Sequence, residues 1–216
     1  MQHVIQPLLI LGTRTFAVEI ADLASEIPGV QVVGFVENLN PETCRKTLQG
    51  LPVLWVDKVA ALASSHKAIC GLATTHRHRF TEQVAAYGIP FATLVHPSAR
   101  ISSQSSVGEG TLVSVGVIIA SHTRLGRHVL VNRGVLIGHH TEIGAYVTIQ
   151  PGANIAGACR IGEATYIGMG AVVIDHITIG AHSVVGAGAV VTKDVPDNVQ
   201  VVGVPARIVK ENISGK

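Results

Sequence analysis

Residues 131–161 read VNRGVLIGHHTEIGAYVTIQPGANIAGACRI, and every sixth one is aliphatic: Val131, Ile137, Ile143, Ile149, Ile155 and Ile161. The series continues both ways without an insertion, from Ile101 through Val107, Val113, Ile119 and Leu125, and on through Ile167, Val173, Ile179 and Val185 to Val191. A period of six fits neither an α-helix nor strand alternation; it is that of a hexapeptide β-helix. Each hexad supplies a short strand and a corner, and three hexads close one triangular coil. The lead residues point inward, and stacked coils bury them as a continuous column.

Two other hexad positions agree. The fifth is small or β-branched almost throughout (Thr111, Thr123, Val129, Thr141, Cys159, Thr165, Ser183), as a tighter inward position requires. The fourth is mostly Gly or His, with His122, His128, His140, His176 and His182 in the series. A corner with positive φ selects Gly first and tolerates Asn, Asp and His.

Before residue 100 the period changes. Gln6–Gly12 is an apolar run ending in Gly, Phe16–Ile27 carries a helical apolar face, and Gln31–Val36 is a second strand. Asp57–Ser64 and Arg77–Tyr87 read as helices, Ala68–Ala73 and Phe91–Leu94 as strands. Such alternation predicts a small parallel α/β domain of Rossmann-like type over 1–97, and the six-residue period a β-helix with a C-terminal cap over 98–216. Ligands of these sheets sit beyond the carboxyl ends of the strands, which points to Gly12, Thr13 and Arg14 and to Glu37 and Asn38. Either a nucleotide binds there, or the domain is a cap without a ligand.

Composition excludes several classes. A net charge of +2 with no Lys/Arg stripe argues against nucleic acid, and no apolar run approaches the ~20 residues of a membrane span. The start shows no signal-peptide pattern, and three scattered cysteines read as reduced thiols of a cytoplasmic protein.

Of the six histidines within the repeat, five fall at the corner position, where backbone conformation accounts for them. His139 alone stands at the third position, on a coil face. It is therefore the candidate for proton transfer.

Both halves together resemble the hexapeptide acyltransferases of the sialic-acid O-acetyltransferase and bacillosamine (UDP-4-amino-sugar) N-acetyltransferase group. The resemblance rests on Leu94-Val-His-Pro-Ser-Ala-Arg100, Asn132-Arg-Gly-Val-Leu-Ile-Gly-His-His140, Gln150-Pro-Gly-Ala-Asn-Ile-Ala-Gly157, Gly188-Ala-Val-Val-Thr-Lys-Asp-Val-Pro196 and Val202-Gly-Val-Pro-Ala-Arg207. It implies a nucleotide-sugar-binding α/β domain joined to a left-handed β-helix, a homotrimer with acetyl-CoA as co-substrate in the groove between neighbouring β-helices, a nucleotide-linked sugar as acceptor, and no metal. It also implies that His139 is the general base, that the Gly157 amide stabilises the oxyanion, and that Asn132 orients the acceptor. Arg207 and Lys210 would meet the CoA phosphates; otherwise they belong to a solubilising cap. The chain departs from the family at His140, where an acid usually follows the catalytic histidine, and at Thr148, where a histidine contacts the acyl donor. The first-turn glycine cluster is absent, and the paired acids after the second strand read Glu37-Asn38.

The expected reaction is acetyl transfer to a sugar amine by direct attack. A hydroxyl acceptor is the nearest alternative. A γ-carbonic-anhydrase-like metal site using His122 and His140, eighteen residues apart, and a non-catalytic sugar-binding scaffold are the others.

Overall fold

The computed structural model describes residues 5–216 and divides into two units, one up to Ala73 together with Arg77–Pro97, the other Thr74–His76 with Ser98–Lys216.

The first unit is built on β1 (Gln6–Leu11), α1 (Thr15–Ser25), β2 (Val30–Glu37), β3 (Thr47–Leu48), β4 (Leu51–Trp55), β5 (Lys67–Cys70) and α2 (His78–Ala86). Its sheet has the order β3-β4-β2-β1-β5, parallel except for the β3–β4 pair. Leu8 to Leu11 are all buried, because a parallel strand is covered on both faces. Ile20, Leu23 and Ala24 form the inner face of α1. That helix stops earlier than the apolar pattern suggests, since Ile27 precedes Pro28 and the proline disfavours helical backbone before it.

Two further expectations are corrected, and one hairpin is new. The helix expected over Asp57–Ser64 is a 3₁₀ helix, Val56–Leu62, in which Val56, Val59 and Leu62 recur every third residue and so share one row. The strand expected over Phe91–Leu94 is reduced to an isolated bridge from Phe91 to Ala68 and a two-residue strand, Leu94–Val95. The hairpin β3–β4 has a two-residue turn at Gln49 and Gly50 with φ of 52° and 76°, the conformation that matches strand twist.

The second unit is the β-helix. Two-residue strands pair in parallel with the strands eighteen residues before and after, for example Ile119 with both Ile101 and Ile137. From Val113 to Val191 every lead residue is buried, and so is every fifth-position residue from Thr111 to Val195. Buried hydroxyls are satisfied within the coil: Thr123 Oγ1 donates to the Gly138 carbonyl (2.8 Å), and Ser105 Oγ accepts from the Thr123 amide (3.0 Å). The fourth-position residues turn the corners with positive φ, His122 at 58° and His140 at 56°, and Tyr146, Ala158 and Ala164 adopt the same conformation. The coil ends near Pro196; Gln200–Val202 then adds to the stack and pairs antiparallel with Arg207–Lys210.

The residues preceding each lead point outward, and the faces differ. One face carries Ser106, Arg124, Glu142, Arg160 and Thr178; another carries Ile118, Leu136, Asn154, Val172 and Val190. On the second, Ile118 is 47% exposed, Leu136 41% and Val172 37%. The third face presents Leu112, Leu130, Thr148 and Val184, all buried.

Among the described residues, no helix is long and apolar enough to cross a membrane.

Candidate active site

His139 lies in the corner between the apolar and the charged face, in the turn joining Leu136–Ile137 to Glu142–Ile143. Its backbone is clamped, with the carbonyl accepting from the Ala158 amide (2.7 Å) and from Thr141 Oγ1 (3.5 Å). The imidazole is exposed and covers Gly157, one coil on: a Cβ placed there would be 2.8 Å from Cε1 and 2.9 Å from Nε2. The Gly157 amide makes no hydrogen bond among the described residues, so it is available to an incoming oxygen. A base and an unengaged backbone donor thus share one exposed edge, the pairing that acyl transfer needs.

His139 Nδ1 lies 3.1 Å from His140 Nδ1, with the rings at 85°. The His140 ring also packs against His122, centroids 4.7 Å apart. Glu142 does not take the place of the family's acid. Its carboxylate is bound by Arg124 (2.6 Å) and approached by Arg160 (3.9 Å), and the Arg124 hydrogen bond and charge hold it below the usual carboxylate range. These three residues, spaced by eighteen, line an open groove of about 670 Å³ on the charged face. The sequence reading missed this groove, although the repeat places the three in one row.

Asn132 sits at the opposite edge of the apolar face, in the turn after Leu130–Val131, where its Oδ1 accepts from the Arg133 amide (2.8 Å). Seven residues separate it from His139, up to roughly 23 Å of extended chain. Thr148 is on the third face and only 1% exposed, so this chain offers no open surface there for an acyl donor. Arg207 and Lys210 are exposed but border different hollows, Arg207 with Lys193 and Asp194, Lys210 with Tyr166 and Met169.

In the α/β unit, Gly12, Thr13, Arg14, Glu37 and Asn38 line one pocket of about 200 Å³. Leu39, Asn40, Thr43 and Phe80 complete it, all of them overlooked in the sequence. Glu37 is 9% exposed. Oε2 accepts from Thr13 Oγ1 (2.5 Å) and Oε1 from the amides of Asn38 (2.9 Å) and Leu39 (2.7 Å). Burial pushes its carboxyl upward, but these hydrogen bonds outweigh it and the group lies below its ordinary value. Glu37 therefore ties the turn after β1 to the turn after β2.

Among the described residues, no three His, Cys, Asp or Glu side chains are grouped to hold a metal ion.

Coil, edge and α/β unit define an acyltransferase of the hexapeptide-repeat class. The family described as bacterial transferase hexapeptide (six repeats) matches residues 122–157 and 158–193. Within that class the chain resembles the sugar N-acetyltransferases of the bacillosamine group. A histidine-to-asparagine mutant of perosamine N-acetyltransferase from Caulobacter crescentus, in complex with CoA and GDP-perosamine, is 28% identical, with a TM-score of 0.87 over 96% of this chain and 98% of that one. The acetyltransferase domain of PglB from Neisseria gonorrhoeae FA1090, in complex with acetyl coenzyme A, is 27% identical, with a TM-score of 0.87 over 95% of this chain and 100% of that one. WeeI from Acinetobacter baumannii AYE is 28% identical, with a TM-score of 0.84 over 94% and 100%. No curated protein matches by sequence.

Proposed function

We propose that the chain transfers the acetyl group of acetyl-CoA to the amino group of a nucleotide-linked amino sugar. The amine attacks the thioester carbonyl while His139 Nε2 accepts its proton. The Gly157 amide donates to the oxyanion of the tetrahedral intermediate. Collapse breaks the C–S bond, the amide is formed, and the proton on His139 passes to the departing CoA thiolate. The observation that carries this reading is the imidazole lying over an unengaged glycine amide on an exposed edge. The full-length similarity to structures holding CoA with GDP-perosamine, or acetyl coenzyme A, supports the two substrates.

The nucleotide is assigned to the pocket of Gly12, Thr13, Arg14 and Asn38, with Glu37 shaping its wall. Asn132 orients the acceptor from a second copy of the chain. Two observations support that homotrimeric arrangement: Asn132 and His139 lie on opposite edges of one face, and the face between them is exposed and apolar. Thr148 is left out of the donor contacts because it is buried. Arg207 and Lys210, both exposed cations, remain the candidates for the CoA phosphates. A cytoplasmic setting fits both the acetyl-CoA supply and the free cysteines.

The test is thiol release from acetyl-CoA against UDP-, GDP- and dTDP-linked 4-amino and 3-amino sugars, with His139→Ala alongside. Turnover on one donor, lost in the variant, is expected. Silence on every amino sugar with retained CoA binding would move the acceptor to a hydroxyl, and loss of CoA binding would overturn the acyltransferase reading.

A further inference from the structure

His140 occupies the place where an acid would orient the base, and its geometry fixes what it can do. Two ring nitrogens 3.1 Å apart, Nδ1 of His139 and Nδ1 of His140, hold one hydrogen between them: one donates and the other must offer its lone pair. A base acting through Nε2 keeps that lone pair free, so its own hydrogen sits on Nδ1. His140 must then be neutral, accept at Nδ1, and carry its hydrogen on Nε2.

We infer that His140 is a positioning residue which, as a neutral acceptor, locks His139 in the tautomer that exposes Nε2, a task usually given to a carboxylate; this rests on the reading of His139 as the base. Three contacts hold the ring for this. The corner backbone has φ of 56°, the His140 amide donates to the Ser121 carbonyl (2.9 Å), and the His122 ring packs against the His140 ring. Among the described residues, no carboxylate pairs with either ring. Glu142 is engaged by Arg124 and Arg160, and Asp175 stands 3.6 Å from His176, two coils further on. The chemical consequence differs from that of an acid. A carboxylate balances the charge of the imidazolium formed during attack, whereas a neutral imidazole only accepts its hydrogen bond and shares its proton.

The corner conformation, with its positive φ, selects the variants that test this. His140→Gly keeps the positive φ and removes the acceptor. His140→Asn also suits the corner and restores an acceptor oxygen without an ionisable ring. Imidazole nitrogen-15 spectra of the unliganded protein should show hydrogen on Nδ1 of His139 and on Nε2 of His140. In His140→Gly the His139 tautomer should become mixed. With acetyl-CoA and the accepted sugar, kcat should fall roughly 10-fold or more in His140→Gly, within the range of general-base contributions, with KM little changed. His140→Asn should recover most of that loss. The opposite tautomer in the native protein, unchanged His139 signals in His140→Gly, or no rescue by Asn would overturn the inference. The spectra need no substrate, so the expected tautomers in a protein that acetylates no amino sugar would sink the proposed reaction and leave the pairing standing.

Discussion

The imidazole of His139 lies so close over the α-carbon of Gly157 that a single methyl group at position 157 would come within 2.8 Å of its Cε1 atom. The glycine is required by the neighbouring ring, not by its own backbone, which does not have positive φ.

Gly157→Ala should therefore leave the coil folded and displace the base. Thermal stability should change by no more than about 1 kcal/mol, as for surface substitutions that force little strain. The rate of acetyl transfer should fall by about 100-fold, the scale of losing one oxyanion-hole or base interaction. Parallel melting curves and kcat measurements check this, and an active Gly157→Ala enzyme would contradict the assigned edge.

Ile118 and Leu136 are exposed neighbours on the apolar face. In the proposed homotrimer this face is the interface, and replacing both by Glu should give monomers, read by light scattering, with the β circular dichroism unchanged. Charges placed in a buried interface without partners cost several kcal/mol, more than a trimer contact can absorb. A variant that stays trimeric would move the interface to another face.

Glu37 should make the α/β unit dependent on acid. Its folded-state carboxyl lies below its ordinary value, so its stabilisation is complete above the unfolded value of roughly 4.3 and is lost as pH falls through the lower folded value. Glu37→Gln should cost about 1–3 kcal/mol at pH 7, the scale of hydrogen bonds to a charged group, and much less at pH 3. Denaturant melts at the two pH values provide the comparison, and equal losses at both would remove the ionised staple.

The three thiols should resist alkylation in the folded protein. Burial pushes Cys70 up to about 11, and burial raises Cys159 and Cys44 as well, Cys44 with added repulsion from Glu37 and Asp57. Cys44 is the least buried and should be modified first at pH 7.5, with Cys70 and Cys159 reacting only after unfolding. Mass spectrometry after iodoacetamide treatment follows the order.

The β-helix was legible in the sequence because one lead residue in six must be aliphatic to fill the stack, and nothing interrupts the count. The corner histidines were legible for the same reason; the count set His139 apart from them on a coil face, whereas the structure places it in the corner turn beside His140. Counting in eighteens also puts Asn132 and His139 on different edges, a separation available from the repeat but visible only once the coil was drawn. In the α/β unit the signals were local and weaker. Val56, Val59 and Leu62 look helical until their threefold spacing is taken literally, and Gln49-Gly50 marks a hairpin only if the flanking strands are recognised first. Phe80 joins Gly12 in one pocket across a sheet, a tertiary relation that no spacing encodes. The engagement of Glu142 by arginines one coil away on either side is likewise a property of stacked strands.

Strands of two residues also constrain how such a chain can change length. Deleting one residue from a strand would rotate every later lead residue off the axis, turning aliphatic side chains outward for the rest of the stack. Removing a whole turn of eighteen residues leaves each survivor facing as before. Length variation among homologues should therefore fall in steps of complete turns or in loops bulging from corners. No such step can come between His139 and Gly157 without parting the imidazole from the glycine it covers.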